Sequence, residues 1–293
     1  MSTSFMDRLA GGEPLVWLDF YDYAGARLAG ASGVPWLDDA AFAAFHGKAQ
    51  GLLGSDVITV PVARIAEALL RASPALSAAM GEKKRPAYPL RRLLEDAGLR
   101  QAVSALLGPL RAADSERPLA LVLPSPRQWL AAAYAVAHGE PMAADVANDP
   151  DEIDGAAVYV ANFLGEFASA GVDLVLLCES ADNGARNADD LSLYDSVFKT
   201  CRHFRWAIGL LDPAGLLPVN EDGALDLLIA PAGNREVCVA EAFWHDGGES
   251  LAPPNARLYH GSIPADAVPE TVLDRLAVLR RRDRQAELAE VSA

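Results

Sequence analysis

The chain has 293 residues, 51% of them hydrophobic, and a formal net charge of -15 at pH 7 with a pI of about 4.7. That length allows one large α/β domain or two. The acidic charge disfavours binding to nucleic acid or to anionic membranes, and no apolar run approaches the roughly 20 residues of a membrane helix.

The cysteines and the first residues bear on the compartment. Cys178, Cys201 and Cys238 show no paired spacing, which is typical of a reducing compartment rather than of a disulfide framework. Residues 1–12 carry acidic and basic side chains but no apolar segment, so they predict neither a signal peptide nor a transit peptide. We therefore expect a soluble cytoplasmic protein.

Apolar runs alternate along the chain with segments of helical periodicity. The predicted strands are residues 15–20, 56–62, 119–123, a buried run within 171–180, 206–211, 225–230, 237–243 and 257–263. The predicted helices are residues 40–53, 66–80, 90–110, a segment through Trp129 and Tyr134, 156–170, 193–205 and 269–287. Residues 81–89 and 140–150 are predicted to be loops.

The run within 171–180 has four consecutive aliphatic residues, which is typical of a parallel strand covered on both faces. Helices between the predicted strands indicate parallel pairing with right-handed crossovers. About eight strands without a glycine-rich dinucleotide fingerprint favour a closed (β/α)8 TIM barrel over an open nucleotide-binding sheet. The loops after the strands would then form one mouth.

Polar residues that follow the predicted strands are the first candidates for a site, because ligands of parallel α/β folds bind at the carboxyl ends of strands. Glu179 leaves a buried run directly, with Asn183 close behind, so Glu179 must be paired or face the mouth. Arg64 and Arg127 each follow a strand, where a guanidinium could hold a substrate carboxylate. The alternative for each arginine is an ordinary surface position.

The end of the first predicted strand supplies another group of candidates. Alternation places Asp19 and Tyr21 on one side, where a buried carboxylate beside a tyrosine would form an acid/base pair. Asp22 and Arg27 follow as candidates for binding the substrate. The alternative is a solvated turn rich in aspartate.

Five stretches, residues 5–17, 80–89, 129–134, 170–180 and 260–270, carry family-like motifs in order across nearly the whole chain. Together they resemble the uroporphyrinogen decarboxylase family. That family belongs to a larger group with cobalamin-independent methionine synthase and corrinoid methyltransferases. Residues 5–17 resemble its opening helix and strand, and residues 80–89 are similar to its Gly-Lys-Gly-Pro-x-Phe-Pro loop. Residues 129–134 match its Trp-x-x-x-x-Tyr, and residues 170–180 resemble its central strand. Residues 260–270 are similar to its closing His-Gly-x-x-Pro-Asp-x-x-Pro-Glu.

The resemblance implies a single uroporphyrinogen decarboxylase-like (β/α)8 barrel over residues 1–293 and a decarboxylation that needs no cofactor and no metal. Tyr134 and His260 match the family's site tyrosine and C-terminal histidine. Residues 22–27 replace the family's Arg-Gln-Ala-Gly-Arg-Tyr, and the 59–62 region replaces its Phe-Ser-Asp. Because those groups grip the tetrapyrrole, uroporphyrinogen itself is not the expected substrate.

We expect a divergent member of that family, a lyase of the carboxy-lyase type. It would act on a small carboxylated substrate by decarboxylation or related C–C cleavage. The expected catalytic residues are Tyr134, His260, Glu179 and Asp19. The expected substrate-binding residues are Arg64, Arg127, Tyr21, Asp22, Arg27 and Asn183.

Two alternatives stay open. One is a methyltransferase or demethylase of the same group that works with a corrinoid or folate partner. The matching strand ends Gly209-Leu210-Leu211-Asp212 without the His and Cys that would bind its zinc. Cys201 and His203 face different directions on a predicted helix and cannot easily share one metal. The other is a non-catalytic binding paralogue. The basic run Arg280-Arg281-Arg282 with Arg284 is interpreted as an exposed face or a subunit contact, which leaves a homodimer open.

Overall fold

The structure, a computed structural model, describes residues 5–11, 13–185, 187–217, 223–231, 235–247 and 256–290, without the side chains of Ala31 and of residues 281–290. Within these residues, helices alternate with strands along most of the chain. The strands are β1 (Leu15–Asp19), β2 (Ile58–Pro61), β3 (Leu119–Pro124), β4 (Leu174–Cys178), β5 (Ala207–Leu211), β6 (Leu227–Ile229), β7 (Glu236–Cys238) and β8 (Leu258–Ser262).

The helices pack around these strands and connect them. They are α1 (Phe5–Ala10), α2 (Tyr21–Leu28), α3 (Asp39–Leu53), α4 (Val62–Ala72), α5 (Pro74–Met80), α6 (Tyr88–Leu94), α7 (Ala97–Ala113), α8 (Pro126–His138), α9 (Ala144–Ala147), α10 (Pro150–Gly165), α11 (Ala188–Ser192), α12 (Asp195–Phe204) and α13 (Pro269–Glu290). Short 3₁₀ turns add Gly30–Ser32 and Glu241–Trp244. None of the helices in the described part of the chain combines the length and the apolar character that a bilayer crossing requires.

The strands form two parallel sheets. One sheet has five strands in the order β2-β3-β4-β5-β6, and the other has three in the order β1-β8-β7. Every strand pair within the two sheets is parallel, as predicted. The predicted α/β class is therefore confirmed, and each of the eight predicted apolar runs overlaps one of the strands.

Two sets of contacts join the sheets. Ala230, directly after β6, forms a parallel bridge with Val237 of β7, and Cys238 N donates to Ala230 O at 2.9 Å. On the other side, Asp56 N donates to Val16 O of β1 at 2.8 Å. Val16 N and Leu18 N donate in return to the Asp56 carboxylate (2.8 Å) and to Ser55 Oγ (3.0 Å). The β1–β2 seam thus depends on side-chain acceptors.

The buried apolar residues fall into two clusters. The larger cluster lies between strands and helices and includes most of the buried leucines, valines and aromatic residues. The smaller cluster combines side chains from both sheets with two residues of α1: Phe5, Leu9, Trp17, Val57, Ala120, Leu174, Leu176, Ala207, Leu227, Ile229 and Leu258. Strands of the two sheets therefore share one apolar interior, which fits strands that are covered on both faces.

Some predicted boundaries are wrong, for identifiable reasons. The helix predicted at 66–80 is two helices, because Ser73 takes a non-helical conformation (φ -126°, ψ 81°) before Pro74. The helix predicted at 90–110 is also two, since Asp96 caps a new helix by accepting a hydrogen bond from Leu99 N at 3.0 Å. Residues 237–243 give only the short β7 followed by a 3₁₀ turn.

The C-terminal helix docks on the end of α3. Gly54 ends α3 in the left-handed conformation (φ 64°), which leaves carbonyl groups of the last turn without helical partners. Arg280 Nη2 donates to Leu53 O at 2.7 Å and to Gly54 O at 2.9 Å. The first arginine of the predicted basic run therefore holds an intramolecular contact, while the side chains of the other three lie outside the described residues.

Candidate functional site

A cavity of about 420 Å³ lies at the carboxyl ends of β5, β7 and β8, and we call it the carboxyl-end cavity. Its lining consists of residues that lie in or directly after β5, β7 and β8, one residue after β6 and one residue of α2. They are Asp22, Leu211, Pro213, Pro231, Cys238, Val239, Ala240, Glu241, His260, Ser262, Ile263 and Pro264. Ligands of parallel α/β folds bind at this edge of the sheet, so the cavity is the candidate site.

His260 is the central polar group of this lining. It is register partner of Cys238 on β7 and of Trp17 on β1, so the three side chains share one face. Only 4% of the residue is exposed, and its Nδ1 has no hydrogen-bond partner among the described residues. Burial lowers the pKa of His260 to about 4, so the imidazole is neutral near pH 7 and offers one donor and one acceptor nitrogen.

Asp19 stands beside the cavity at the end of β1. Its register partner is Ser262, which lines the cavity, and its carboxylate accepts a hydrogen bond from Tyr21 N at 3.3 Å. Burial raises the pKa of Asp19, and the neighbouring Asp22 raises it further, while the bond from Tyr21 N and the charge of Arg64 oppose this. A carboxyl group with a raised pKa is suited to donate a proton.

Two free thiols lie in the same interior layer. Burial raises the pKa of Cys178 to about 12, and Asp19, Glu179 and Cys238 add to this effect through their charges. Burial also raises the pKa of Cys238, with a further contribution from Asp212. Because the thiolate is the reactive form, neither cysteine is activated as a nucleophile.

Glu179, an expected catalytic residue, is held in a buried polar network at the ends of β3 and β4. Ser125 Oγ and Tyr194 Oη donate to its two carboxylate oxygens at 2.8 and 2.6 Å, and Gln128 Nε2 adds a third bond at 3.2 Å. Burial and the charge of Glu179 together raise the pKa of Tyr194. Of the two outcomes predicted for Glu179, the structure shows the paired one.

Both arginines proposed to hold a carboxylate have protein partners. Arg127 is buried, and it donates to Asn148 Oδ1 at 2.7 Å and to Asp190 Oδ1 at 3.0 Å. Arg64 is exposed and pairs with Asp22 at 2.7 Å. Neither arginine is among the lining residues of the carboxyl-end cavity, although the partner of Arg64 is.

Tyr134 lies along α8, about 12 Å from its first residue at a rise of 1.5 Å per residue. Helix α8 starts at the carboxyl end of β3 and leads away from it, and the Tyr134 ring packs on His138 with centroids 4.4 Å apart. Tyr134 is not part of the cavity lining among the described residues. The structure therefore does not bring Tyr134 and His260 to one cavity.

The remaining candidate residues also form hydrogen bonds within the protein. The alternation argument for Tyr21 is wrong because Tyr21 begins helix α2, and its hydroxyl donates to Thr59 O at 2.6 Å and contacts His46 Nδ1 at 3.0 Å. Arg27 Nη2 donates to Ala267 O at 2.9 Å. Asn183 accepts a bond from the Gln128 side chain through its main-chain oxygen.

Sequence reasoning missed three polar lining residues, Cys238, Glu241 and Ser262. Ser262 could have been predicted from the sequence, because a residue two positions after His260 on a strand faces the same side. Cys238 becomes a neighbour of His260 only through the register of β7 on β8. Glu241 is delivered by a 3₁₀ turn that no periodicity in the sequence indicates.

The described residues contain no group of three or more His, Cys, Asp or Glu side chains arranged to hold a metal ion. Cys201 is buried and His203 is exposed on α12, so the two do face different directions, as predicted. Comparison of the chain with models of known protein families and with curated proteins finds no match.

Proposed function

We propose that the two sheets close into one eight-stranded (β/α)8 barrel. Support comes from the bridge between Ala230 and Val237 on one side and from the bond between Asp56 N and Val16 O on the other. With these two links the strands follow one another in chain order around a ring. The apolar cluster shared by both sheets would be the barrel interior, with α1 covering its amino-terminal end.

We also propose that the protein is a lyase that works by general acid–base catalysis without a cofactor. The observation that carries this proposal is the presence of two groups on one face of neighbouring strands. They are the neutral imidazole of His260 in the cavity lining and the half-buried carboxyl of Asp19, whose register partner Ser262 also lines the cavity. A neutral imidazole offers one nitrogen that can accept a hydrogen bond or a proton, and a carboxyl group whose pKa is raised is better suited to donate a proton than an ordinary one.

In the decarboxylation that the sequence resemblance implies, the bond between a substrate carbon and its carboxylate breaks and carbon dioxide leaves. The electron pair stays on the carbon, and Asp19 supplies the proton that replaces the lost group. His260 hydrogen-bonds the substrate and returns the proton to Asp19 from solvent. The apolar part of the lining includes Leu211, Val239 and Ile263 and excludes water. Because a carboxylate is poorly solvated in such a place, its loss as neutral carbon dioxide is favoured.

The test is carbon dioxide release from a panel of small aromatic and pyrrolic acids. Asp19→Asn and His260→Gln should each lower the rate about 100-fold or more, the usual size of an acid–base contribution. The matched controls are Asp154→Asn and His203→Gln, which change the same residue types at exposed positions on α10 and α12. Equal rates in the two site variants and their controls would remove the assigned roles.

Tyr134 enters the same assay as a separate question. The sequence resemblance predicts a role in proton transfer, so Tyr134→Phe should then lose activity as strongly as His260→Gln. The position of Tyr134 on α8, packed against His138, instead favours retention of activity. The comparison of these two variants decides between resemblance and geometry.

A non-catalytic binding paralogue is the second candidate. It is favoured by the internal pairing of Glu179, Arg127 and Arg64, because three expected site groups are used by the fold. Under that function the carboxyl-end cavity would bind a small molecule without turnover. Binding that is saturable in the absence of any detectable product would support it.

A further inference from the structure

The polar groups that line the carboxyl-end cavity are acidic or neutral. Asp22 and Glu241 supply carboxylates, and Cys238, His260 and Ser262 supply uncharged groups. No lysine or arginine belongs to the lining among the described residues. His260 adds no positive charge, because burial lowers its pKa to about 4.

Two basic groups that contact a lining residue or the turn after β7 have other partners. Arg64 pairs with Asp22 at 2.7 Å and with Glu67 at 4.0 Å. Arg275 lies over the Phe243 ring at 5.2 Å, and its guanidinium also donates to His245 O at 3.4 Å. A substrate anion would therefore find no unshared cation in the described lining.

The sequence extends this charge pattern beyond the described residues. Between residues 206 and 256, Arg235 is the lone basic residue other than His245. The same span contains eight acidic residues: Asp212, Glu221, Asp222, Asp226, Glu236, Glu241, Asp246 and Glu249. The segments 218–222, 232–234 and 248–255, which follow β5, β6 and β7 in the chain, contain no lysine or arginine.

Two buried polar groups in this region also lack partners. His260 is 4% exposed, lines the cavity and has an Nδ1 without a hydrogen bond in the described part of the chain. Asp212, which is fully buried between the lining residues Leu211 and Pro213, has an Oδ1 without one. An unpaired buried polar atom is costly. Asp212 Oδ1 is an acceptor, and His260 Nδ1 is one in the tautomer that carries the proton on Nε2, so a ligand that brings N–H groups would gain free energy by pairing with such an atom.

We infer that the carboxyl-end cavity binds a small molecule that carries a positively charged amine. The ammonium group would meet the carboxylate of Glu241 and the imidazole of His260, and the apolar part of the molecule would pack on Leu211, Val239 and Ile263. This inference rests on the proposed function only in taking the cavity as the substrate site. In a decarboxylation, binding of the amine would hold the substrate with its carboxylate in an acidic environment that disfavours the negative charge. The binding free energy of the amine would then offset this unfavourable placement, which promotes loss of the carboxylate.

The test compares three probes of nearly equal size, benzylamine, benzyl alcohol and benzoate, by titration calorimetry with the full chain. Benzylamine should bind about tenfold more tightly than benzyl alcohol at low salt, and benzoate most weakly. Raising the salt from about 0.05 M to about 0.5 M should weaken benzylamine and leave benzyl alcohol unchanged. Benzoate binding as tight as that of benzylamine, or no benzylamine binding at about 10 mM, would overturn the inference.

Charge variants locate the effect. Glu241→Gln should weaken benzylamine binding about three- to tenfold without changing that of benzyl alcohol, while Arg64→Gln should strengthen benzylamine binding by removing the cation that pairs with Asp22. Asp154→Asn on α10 removes the same charge at an exposed position away from the cavity and should change neither. An unchanged benzylamine affinity in Glu241→Gln would contradict the inference. Because binding needs no turnover, an absence of carbon dioxide release would sink the proposed reaction and leave this result intact.

Discussion

The Trp17 indole and the His260 imidazole meet edge to face across β1 and β8, with ring centroids 5.2 Å apart and planes inclined at 83°. Trp17 Nε1 donates in turn to Thr59 Oγ1 of β2 at 2.7 Å. The orientation of the indole, and therefore of the surface on which the imidazole rests, is fixed by a residue on the opposite side of β1. The site histidine is thus supported from β2, in the other sheet.

This support predicts coupling between Trp17 and Thr59. Trp17→Phe should lower the free energy of unfolding by about 1–3 kcal/mol, through a smaller ring and an unpaired Thr59 hydroxyl, and Thr59→Val by about 1 kcal/mol. The double variant should cost about 1 kcal/mol less than the two single costs together, since the hydrogen bond is lost only once. Urea denaturation measures all four proteins, and strict additivity would show that the bond contributes nothing.

Stability should fall in mild acid because of two buried histidines. Burial lowers the pKa of both His46 and His260 to about 4, while the unfolded value is about 6.5. The unfolded chain therefore binds protons first as the pH drops. The stabilisation is complete above about pH 6.5, and it decreases by up to about 3 kcal/mol per histidine as the pH falls through about 4.

Denaturation at several pH values checks this dependence. In His260→Gln and His46→Gln the slope of stability against pH between about 6.5 and 4 should become shallower than in the wild type, whatever the carboxylates contribute. His203→Gln, at an exposed position on α12, should keep the wild-type slope. Parallel curves for all four proteins would show that the two rings are not buried as neutral groups.

The two arginine pairs should differ in their contribution to stability. Arg127 is buried with Asn148 and Asp190, so Arg127→Met should cost about 3 kcal/mol because it leaves Asp190 partly buried without this bond. Arg64 and Asp22 are about half exposed, so Arg64→Met should cost less than about 1 kcal/mol. Thermal and urea unfolding compare the two variants directly. Similar losses in the free energy of unfolding would show that the Arg127 contacts contribute no more than an exposed ion pair.

The Glu179 network should act as a structural support. Glu179→Gln faces donors from Ser125, Gln128 and Tyr194 with an amide group that accepts through one oxygen, so it should cost about 2–3 kcal/mol. Tyr194→Phe removes one donor and should cost about 1–2 kcal/mol. If Glu179→Gln instead kept full stability and lost catalytic rate, the expected catalytic role of Glu179 would be restored.

Most of the strands were predictable because they lie in continuous apolar runs, a pattern that depends only on local sequence. Strands β3, β4 and β5, for example, end directly before the polar residues Ser125, Glu179 and Asp212. Helix α2 was not, since Asp22, Gly25 and Arg27 give it a composition more typical of a turn. The pairing of Glu179 with Tyr194 and of Arg127 with Asn148 depends on how helices and loops pack, which residue spacing does not encode. His260 was singled out because it lies in a predicted strand and matches the C-terminal histidine of the resembling family, whereas Glu241 needed the 3₁₀ turn that follows β7.

The seam between β1 and β2 has its own consequence for dynamics. Where two adjacent strands usually exchange main-chain bonds, Val16 N and Leu18 N here donate to the carboxylate of Asp56 and the hydroxyl of Ser55. Side-chain acceptors can swing away without any movement of the backbone, so amide hydrogens at these two positions should exchange with solvent faster than those of β3 and β4. Local opening of the fold would then begin next to Trp17, and the contact between its ring and His260 would be among the first to be lost.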